Sequence, residues 1–209
     1  HRKNIITSEF YLLIGFGFLP IIGGIVQGLF YGILLMWSSA AFALIVVYIY
    51  LQERLIHLDN LTGAWTRKSF IYYMNKKLNQ KKIEPFGGIY FDIDDLKKIN
   101  DNYGHLEGDF AISEIVKRVK GIMYDGEIIA RLGGDEFVII TNDDSEKRLK
   151  ALGEDIDFSL SVFNENSDKK YTLSCSYGIG VFNNDFKSVD QFLRFIDYRM
   201  YSNKKNNTK

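Results

Sequence analysis

Hydrophobic and polar positions divide the chain into two regimes. From Phe10 to Leu51 there is no Asp, Glu, Lys or Arg, whereas beyond Leu51 charges recur throughout and apolar residues fall into short periodic runs. A bilayer core takes about 20 apolar residues per helix. The uncharged stretch is therefore long enough for two spans, predicted over 10–27 and 33–51 with a turn near Gly28–Gly32. Pro20, Gly23, Gly24 and Gly28 would interrupt a soluble helix but are tolerated inside a membrane. One span over 32–51, preceded by a re-entrant or interfacial segment, is the alternative. Arg2 and Lys3 precede the stretch, and Arg54, Arg67 and Lys68 follow it. Basic residues at both ends place both on the cytoplasmic side of a cell membrane, with membrane lipid as the partner of residues 1–51. The apolar region is too long for a cleaved signal peptide and lacks a small-residue cleavage site.

Tyr48–Leu58 contains no Gly or Pro and sets Leu51, Leu55 and Leu58 at helical spacing. This predicts a connector helix over 52–60, packed on its own domain or paired with a second copy as a parallel coiled coil; the stripe favours a homodimer. From residue 61 onward the periodicity predicts alternating elements. Thr66 caps a helix from Arg67 to Gln80, and Gly88–Asp92 is a buried strand. Asp94–Tyr103 is a short helix ended by Gly104, and Leu106–Tyr124 a longer one with a stripe that includes Phe110, Ile112, Ile115 and Val119. A hairpin follows over Glu127–Thr141, then a helix at Ser145–Asn164, a strand at Tyr171–Phe182 and a closing helix at Val189–Asn203. The order β, α, α, β, β, α, β, α predicts an α+β domain. Its core is ferredoxin-like, as in a polymerase palm, with a central antiparallel sheet and flanking helices.

The stretch that organises the rest is Arg131–Phe137, Arg-Leu-Gly-Gly-Asp-Glu-Phe, between two apolar runs. Gly-Gly there predicts a tight turn with glycine at positive φ, and sets Asp135 and Glu136 beside it. Asp92 and Asp94 end the first buried strand two residues apart, so both project from one face. In a ferredoxin-like sheet the hairpin lies beside that strand, bringing Asp135 or Glu136 near Asp92. Converging carboxylates suit Mg²⁺, which takes few protein ligands and shares the rest with phosphates. The helix start at Asp94–Lys98, with Lys97, would offer N–H groups to a triphosphate. The same acids would also serve as ordinary helix caps.

Composition narrows this further. The 209 residues suffice for one domain plus an appendage, and the formal net charge is zero. No basic field points to nucleic acid. With Cys175 as the single cysteine, no internal disulfide forms. A chain that begins with His1 reads as part of a longer protein.

Arg131–Phe137 resembles the signature of the GGDEF family, the diguanylate cyclases. Asp59-Asn60-Leu61-Thr62-Gly63 resembles the family's opening, and Phe91–Asp94 with Lys97, Ile99, Asn100 and Asp101 its metal and substrate segment. Gly104-His105 with Gly108-Asp109, Ser176–Ile179, and Asp197, Met200, Tyr201 and Lys204 continue in register. The resemblance implies a catalytic domain over 61–209 that joins two GTP molecules into cyclic di-GMP and releases two pyrophosphates. Two domains would face each other, each with one GTP. It implies that Asp92, Glu136 and the Ile93 carbonyl ligate Mg²⁺, and that Asp135 deprotonates the attacking 3′-hydroxyl. It further implies that Asn100 and Asp109 read guanine and that Lys97 and Lys204 contact phosphate. Aspartate, with a pKa of about 4, is a weak base at neutral pH, so positioning matters beside basicity. A serine at the Asp109 position accompanies mixed-nucleotide synthesis in part of the family, so Asp109 favours cyclic di-GMP.

Two departures stand out. The family's product-inhibition site carries Arg-x-x-Asp where this chain has Tyr124-Asp125-Gly126-Glu127, and tyrosine supplies no bidentate guanidinium. The closing segment lacks the arginine that often follows the lysine matching Lys204. The alternative function is an inactive GGDEF domain acting as a nucleotide-binding or interaction module.

Overall fold

The structure, a computed structural model, describes residues 2–30, 32, 34–55, 57–80, 84–183 and 185–207, without the side chains at 2–14, 50–55 and 206–207. The chain divides into two compact units, His1–Ile56 and His57–Lys209.

In the first unit α1 (Arg2–Leu29) packs against α2 (Leu35–Leu55). Gly23 permits their close approach: a Cβ there would lie 2.9 Å from the Leu35 carbonyl oxygen and would overlap Ser39 Oγ. Gln27 Oε1 accepts the Met36 N–H at 3.1 Å, satisfying an amide that the first turn of a helix leaves without an internal partner. Many of the described apolar side chains face outward, Trp37 70% and Leu44 71% exposed, while Ala43 is buried. Among the described residues no helix is long and apolar enough to cross a membrane. The expected spans over 10–27 and 33–51 are thus not shown. The stretches with described side chains, 15–30 and 34–49, each fall short of the ~20 residues a span takes.

The expected connector helix over 52–60 stops early, α2 ending at Leu55. Backbone groups at 57–59 are used otherwise. Leu58 bridges Trp65, the Thr66 N–H donates to the His57 carbonyl at 3.0 Å, and the Asp59 N–H donates to Ala64 at 2.7 Å. Leu58 is therefore off the helical stripe, and the side chains of Leu51 and Leu55 lie outside the described residues.

The second unit runs β1 (Trp65–Thr66), α3 (Arg67–Leu78), β2 (Phe86–Ile93), α4 (Leu96–Tyr103), α5 (His105–Ile122), β3 (Ile128–Arg131), β4 (Glu136–Thr141), α6 (Glu146–Asn166), β5 (Cys175–Phe182) and α7 (Val189–Asn207). The sheet order is β1-β3-β4-β2-β5. Its last four strands pair antiparallel in the ferredoxin-like order. The sheet as a whole is mixed, not antiparallel as expected, because β1 adds parallel to β3. A two-residue strand is too short to show a period of two.

One sheet face, carrying Ile89, Phe91, Phe137 and Ile139, packs on α5 and α6. The other, with Tyr90, Val138 and Ile140, packs on α3 and α7. Thr66 caps α3 as expected, accepting the Ser69 N–H at 3.3 Å. The strand expected from Tyr171 starts at Cys175, because Asn164 takes both backbone groups of Leu173, at 2.9 and 2.8 Å. Phe110, expected in the α5 stripe, is exposed. Gly178 lets α7 lie directly on β5: a Cβ there would overlap the Ile196 carbonyl oxygen and the Met200 nitrogen. That close contact carries Lys204, one turn beyond Met200, towards the end of β2.

Candidate active site

Strand register assembles the acids. Asp92 on β2 sits opposite Glu136 on β4 and Ser176 on β5. Directly opposed residues share a face, so Asp92 and Glu136 project together on the α3/α7 side, below Tyr90. The strand ends are tied by two further bonds: the Ile93 N–H donates to the Asp135 carbonyl at 3.1 Å, and the Asp94 N–H to Ser174 at 3.0 Å. Asp94 accepts from Ser176 Oγ at 2.8 Å and Ser174 Oγ at 3.1 Å. Ser176 was read only as part of the late-strand match, with no role beside Asp94, and Ser174, just before β5, was not singled out. Lys204 bonds to Asp92 and lies 3.5 Å from Asp94. The lysine expected on phosphate thus sits on two of the acids.

Burial pushes the Asp92 carboxyl above its usual range, with Asp135 and Asp94 adding to this and Lys204 opposing. Glu136 is raised chiefly by burial, then by the charges of Asp135, Asp197 and Asp92, with a hydrogen bond from Tyr90 opposing. The Lys204 ammonium is held above its ordinary value: burial lowers it, but Asp92 and Asp94 outweigh that. Such a site favours a cation near its carboxylates. Among the described residues no three His, Cys, Asp or Glu form a metal-holding group. Asp92, Glu136 and a backbone carbonyl still fit Mg²⁺, which is held by one or two carboxylates plus substrate phosphates.

The glycines act differently from expectation. Neither Gly133 nor Gly134 has positive φ. The link is a loop over 132–135, in which the Leu132 N–H donates to the Glu136 carbonyl at 2.8 Å. What Gly133 provides is space, since a Cβ there would meet Glu136 Oε2 at 2.5 Å. Arg131 holds the loop. It donates to the Gly134 carbonyl at 2.7 Å and the Gly133 carbonyl at 3.2 Å, and its Nη1 reaches both Asp59 oxygens at 3.0 and 3.2 Å. The opening turn and the signature loop are therefore one bonded assembly.

The remaining predicted residues sit on α4 and α5. Asp95 adopts the left-handed region, φ 54°, as the chain turns from β2 into α4, which starts at Leu96 and not Asp94. Lys97 is exposed on its first turn. Asn100 lies against the bare Cα of Gly108, next to exposed Asp109. A cleft of about 660 Å³ opens beside Asp94 and Lys204, lined also by Lys98, Asp157, Ser176 and Tyr177. At 124–127, the Arg148 guanidinium packs 4.1 Å over the Tyr124 ring and 3.6 Å from Glu127 Oε1.

Residues 56–209 match the family model described as diguanylate cyclase, GGDEF domain. The chain is similar to the probable diguanylate cyclase DgcI of Escherichia coli (strain K12), 37% identical over 153 residues, covering 71% of this chain and 31% of that protein. It is also similar to the cyclic di-GMP phosphodiesterase PdeR of the same organism, 31% identical over 157 residues, covering 73% and 24%. A solved structure comprising only the GGDEF domain of YfiN (TpbB) from Pseudomonas aeruginosa is 26% identical with a TM-score of 0.63, covering 72% of this chain and 90% of that one. The chain thus spans only 31% and 24% of the two curated relatives.

Proposed function

Since the chain belongs to the GGDEF family of diguanylate cyclase domains, we propose that it condenses two GTP into cyclic di-GMP. In each of two equivalent steps, the 3′-oxygen of one nucleotide bonds to the α-phosphorus of the other. The α–β phosphoanhydride bond breaks, pyrophosphate leaves with the bond electrons, and the hydroxyl proton passes to Asp135 or water. The observation that carries this reading is the opposition of Asp92 and Glu136 on one face, with Asp135 adjoining and Lys204 bonded to Asp92. Mg²⁺, when bound, would offset the charge of the triphosphate and the departing pyrophosphate. Asp92, Glu136 and the Ile93 carbonyl would hold it. Lys204 is tethered where it can exchange a carboxylate for phosphate, and Lys97 stands at a helix start suited to anions. Asn100 and Asp109 would read guanine, Asp109 accepting from its ring N–H and amino group, which adenine cannot offer.

Because each domain supplies one GTP, the active form is a homodimer with catalytic domains face to face. For residues 1–51 we propose anchorage as a membrane hairpin, with the catalytic domain cytoplasmic and responsive to an N-terminal sensor region. The outward apolar side chains of α1 and α2 support lipid as their partner. Flotation of the expressed chain with membranes after alkaline washing checks the anchorage.

A second reading is a GGDEF domain that binds nucleotide without turning it over; one relative, PdeR, is named a cyclic di-GMP phosphodiesterase and not a cyclase. Incubation of the purified chain with GTP and Mg²⁺, followed by mass detection of cyclic di-GMP, separates the two. GTP binding without product would establish the second reading.

A further inference from the structure

Glu107 stands in the first turn of α5, two residues before Asp109, and anchors a cluster that sequence spacing does not connect. Lys169 Nζ lies 2.8 and 3.0 Å from its two oxygens, and the Tyr171 hydroxyl donates to Oε2 at 2.6 Å. The Lys169 ammonium also sits 4.2 Å over the exposed Phe110 ring. Tyr103, the last residue of α4, packs its ring 5.2 Å from that of Tyr171 and donates its hydroxyl to the Lys170 carbonyl at 3.1 Å. The loop that carries these groups, 167–174, is fastened at its far side by the two bonds between Asn164 and Leu173. It therefore forms a strap from the end of α6 across the corner between α4 and α5.

That corner turns on a single residue, Gly104, at φ +87°. Asn100 lies on one side of it and Asp109 on the other. Their spacing depends on the angle between α4 and α5. The inner faces of the two helices are held by the core through Leu96, Ile99, Ala111 and Ile112. The outer end of the corner is held by the strap. Both oxygens of one carboxylate are engaged, by a cation and by a phenol. These bonds pull the Glu107 carboxyl below its usual range, first through Lys169 and then Tyr171. A half-exposed ion pair adds little to stability by itself, whereas a brace at a one-residue hinge fixes geometry.

We infer that Glu107, through Lys169 and Tyr171, is a positioning residue for nucleobase recognition, holding the corner that spaces Asn100 from Asp109. The inference rests on reading Asn100 and Asp109 as the base-contacting pair. It concerns the contacts of the strap with Glu107; the other end of the strap, at Ser174, bonds Asp94 beside the acidic site.

The test compares the purified full chain with Glu107→Ala, Lys169→Met and the reciprocal pair Glu107→Lys/Lys169→Glu. Calorimetric Kd values are measured for GTP and for ITP, which lacks the exocyclic amino group, together with KM and kcat where turnover occurs. The single variants are expected to weaken GTP by about five- to tenfold and to narrow the GTP-over-ITP preference severalfold, with kcat within about twofold. The reciprocal pair is expected to recover part of the preference. Glu107→Gln, which keeps the shape and the Tyr171 bond, is expected to fall between, and it guards against a variant that does not fold. A parent that binds GTP while every variant keeps its affinity and preference overturns the role of Glu107. Equal loss towards both nucleotides, tracking thermal stability, overturns it too. A parent that binds neither nucleotide overturns the site reading itself, and this inference with it.

Discussion

Arg131 is where the architecture makes a quantitative demand. Its guanidinium spans Asp59 and the carbonyls of Gly133 and Gly134, with the two side chains of the ion pair 18% and 24% exposed. Charge-assisted bonds of this kind contribute ~1.5–3 kcal/mol when partly shielded. After allowance for solvent screening, Arg131→Met should cost about 2 kcal/mol. For a unit of this size that lowers Tm by roughly 4–8 °C. Arg131→Lys should cost less, because it keeps the charge near Asp59 but cannot bond both glycine carbonyls. The pH dependence adds a second check. Burial raises the Asp59 carboxyl, but Thr62 and Arg131 outweigh it and leave the folded pKa below 3.8. A depressed folded pKa stabilises fully above the unfolded value and is lost as pH falls through the folded one. The gap between parent and Arg131→Met should therefore be widest at neutral pH and close below pH 3.8. Urea unfolding monitored by circular dichroism at several pH values measures it. A gap below about 0.5 kcal/mol at pH 7, within the range of ordinary surface substitutions, would refute the bracing argument. So would one that does not narrow in acid.

Further outcomes follow from the same geometry. Glu136→Gln should abolish cyclic di-GMP formation yet raise Tm at pH 7. A carboxyl whose folded pKa is raised destabilises the fold when ionised, and the gain should vanish as pH falls towards the unfolded value of 4.5. A variant less stable than the parent at neutral pH would contradict this. Gly178→Ala places a methyl into the α7 backbone and should cost ~1–3 kcal/mol, read by thermal unfolding; a neutral effect would mean α7 shifts freely. Asp135→Ala should remove product while leaving Tm near that of the parent; turnover retained by that variant would end the role of Asp135. Asp109→Ser should relax base choice, seen as a mixed-nucleotide product when GTP and ATP are supplied together.

Much of the fold was legible because its signals are local. Thr66 caps α3 as a β-hydroxyl before a periodic run should. The ferredoxin-like order followed from counting strands and helices. Where the reading failed, a distant partner took over the backbone. Asn164 shortened β5 by occupying Leu173, and the 57–66 turn ended the connector through Trp65 and Ala64. The glycines of the signature were read as conformational freedom, whereas neither has positive φ and Gly133 serves as room for Glu136. Lys204, read as a phosphate contact, was placed on Asp92 by α7 lying flat on Gly178. Glu107, which no motif or periodic run marks, gained its meaning from a loop about sixty residues away in sequence.

The amino-acid sequence alone determined which residues carry charge, which are apolar at period two or 3.6, and which letters match a family, since these are properties of neighbours along the chain. Which acids face each other, which lysine answers them and which loop straps the corner between α4 and α5 were decided by strand register and helix packing. Those contacts join residues far apart in sequence, and only the closed fold brings them within bonding distance.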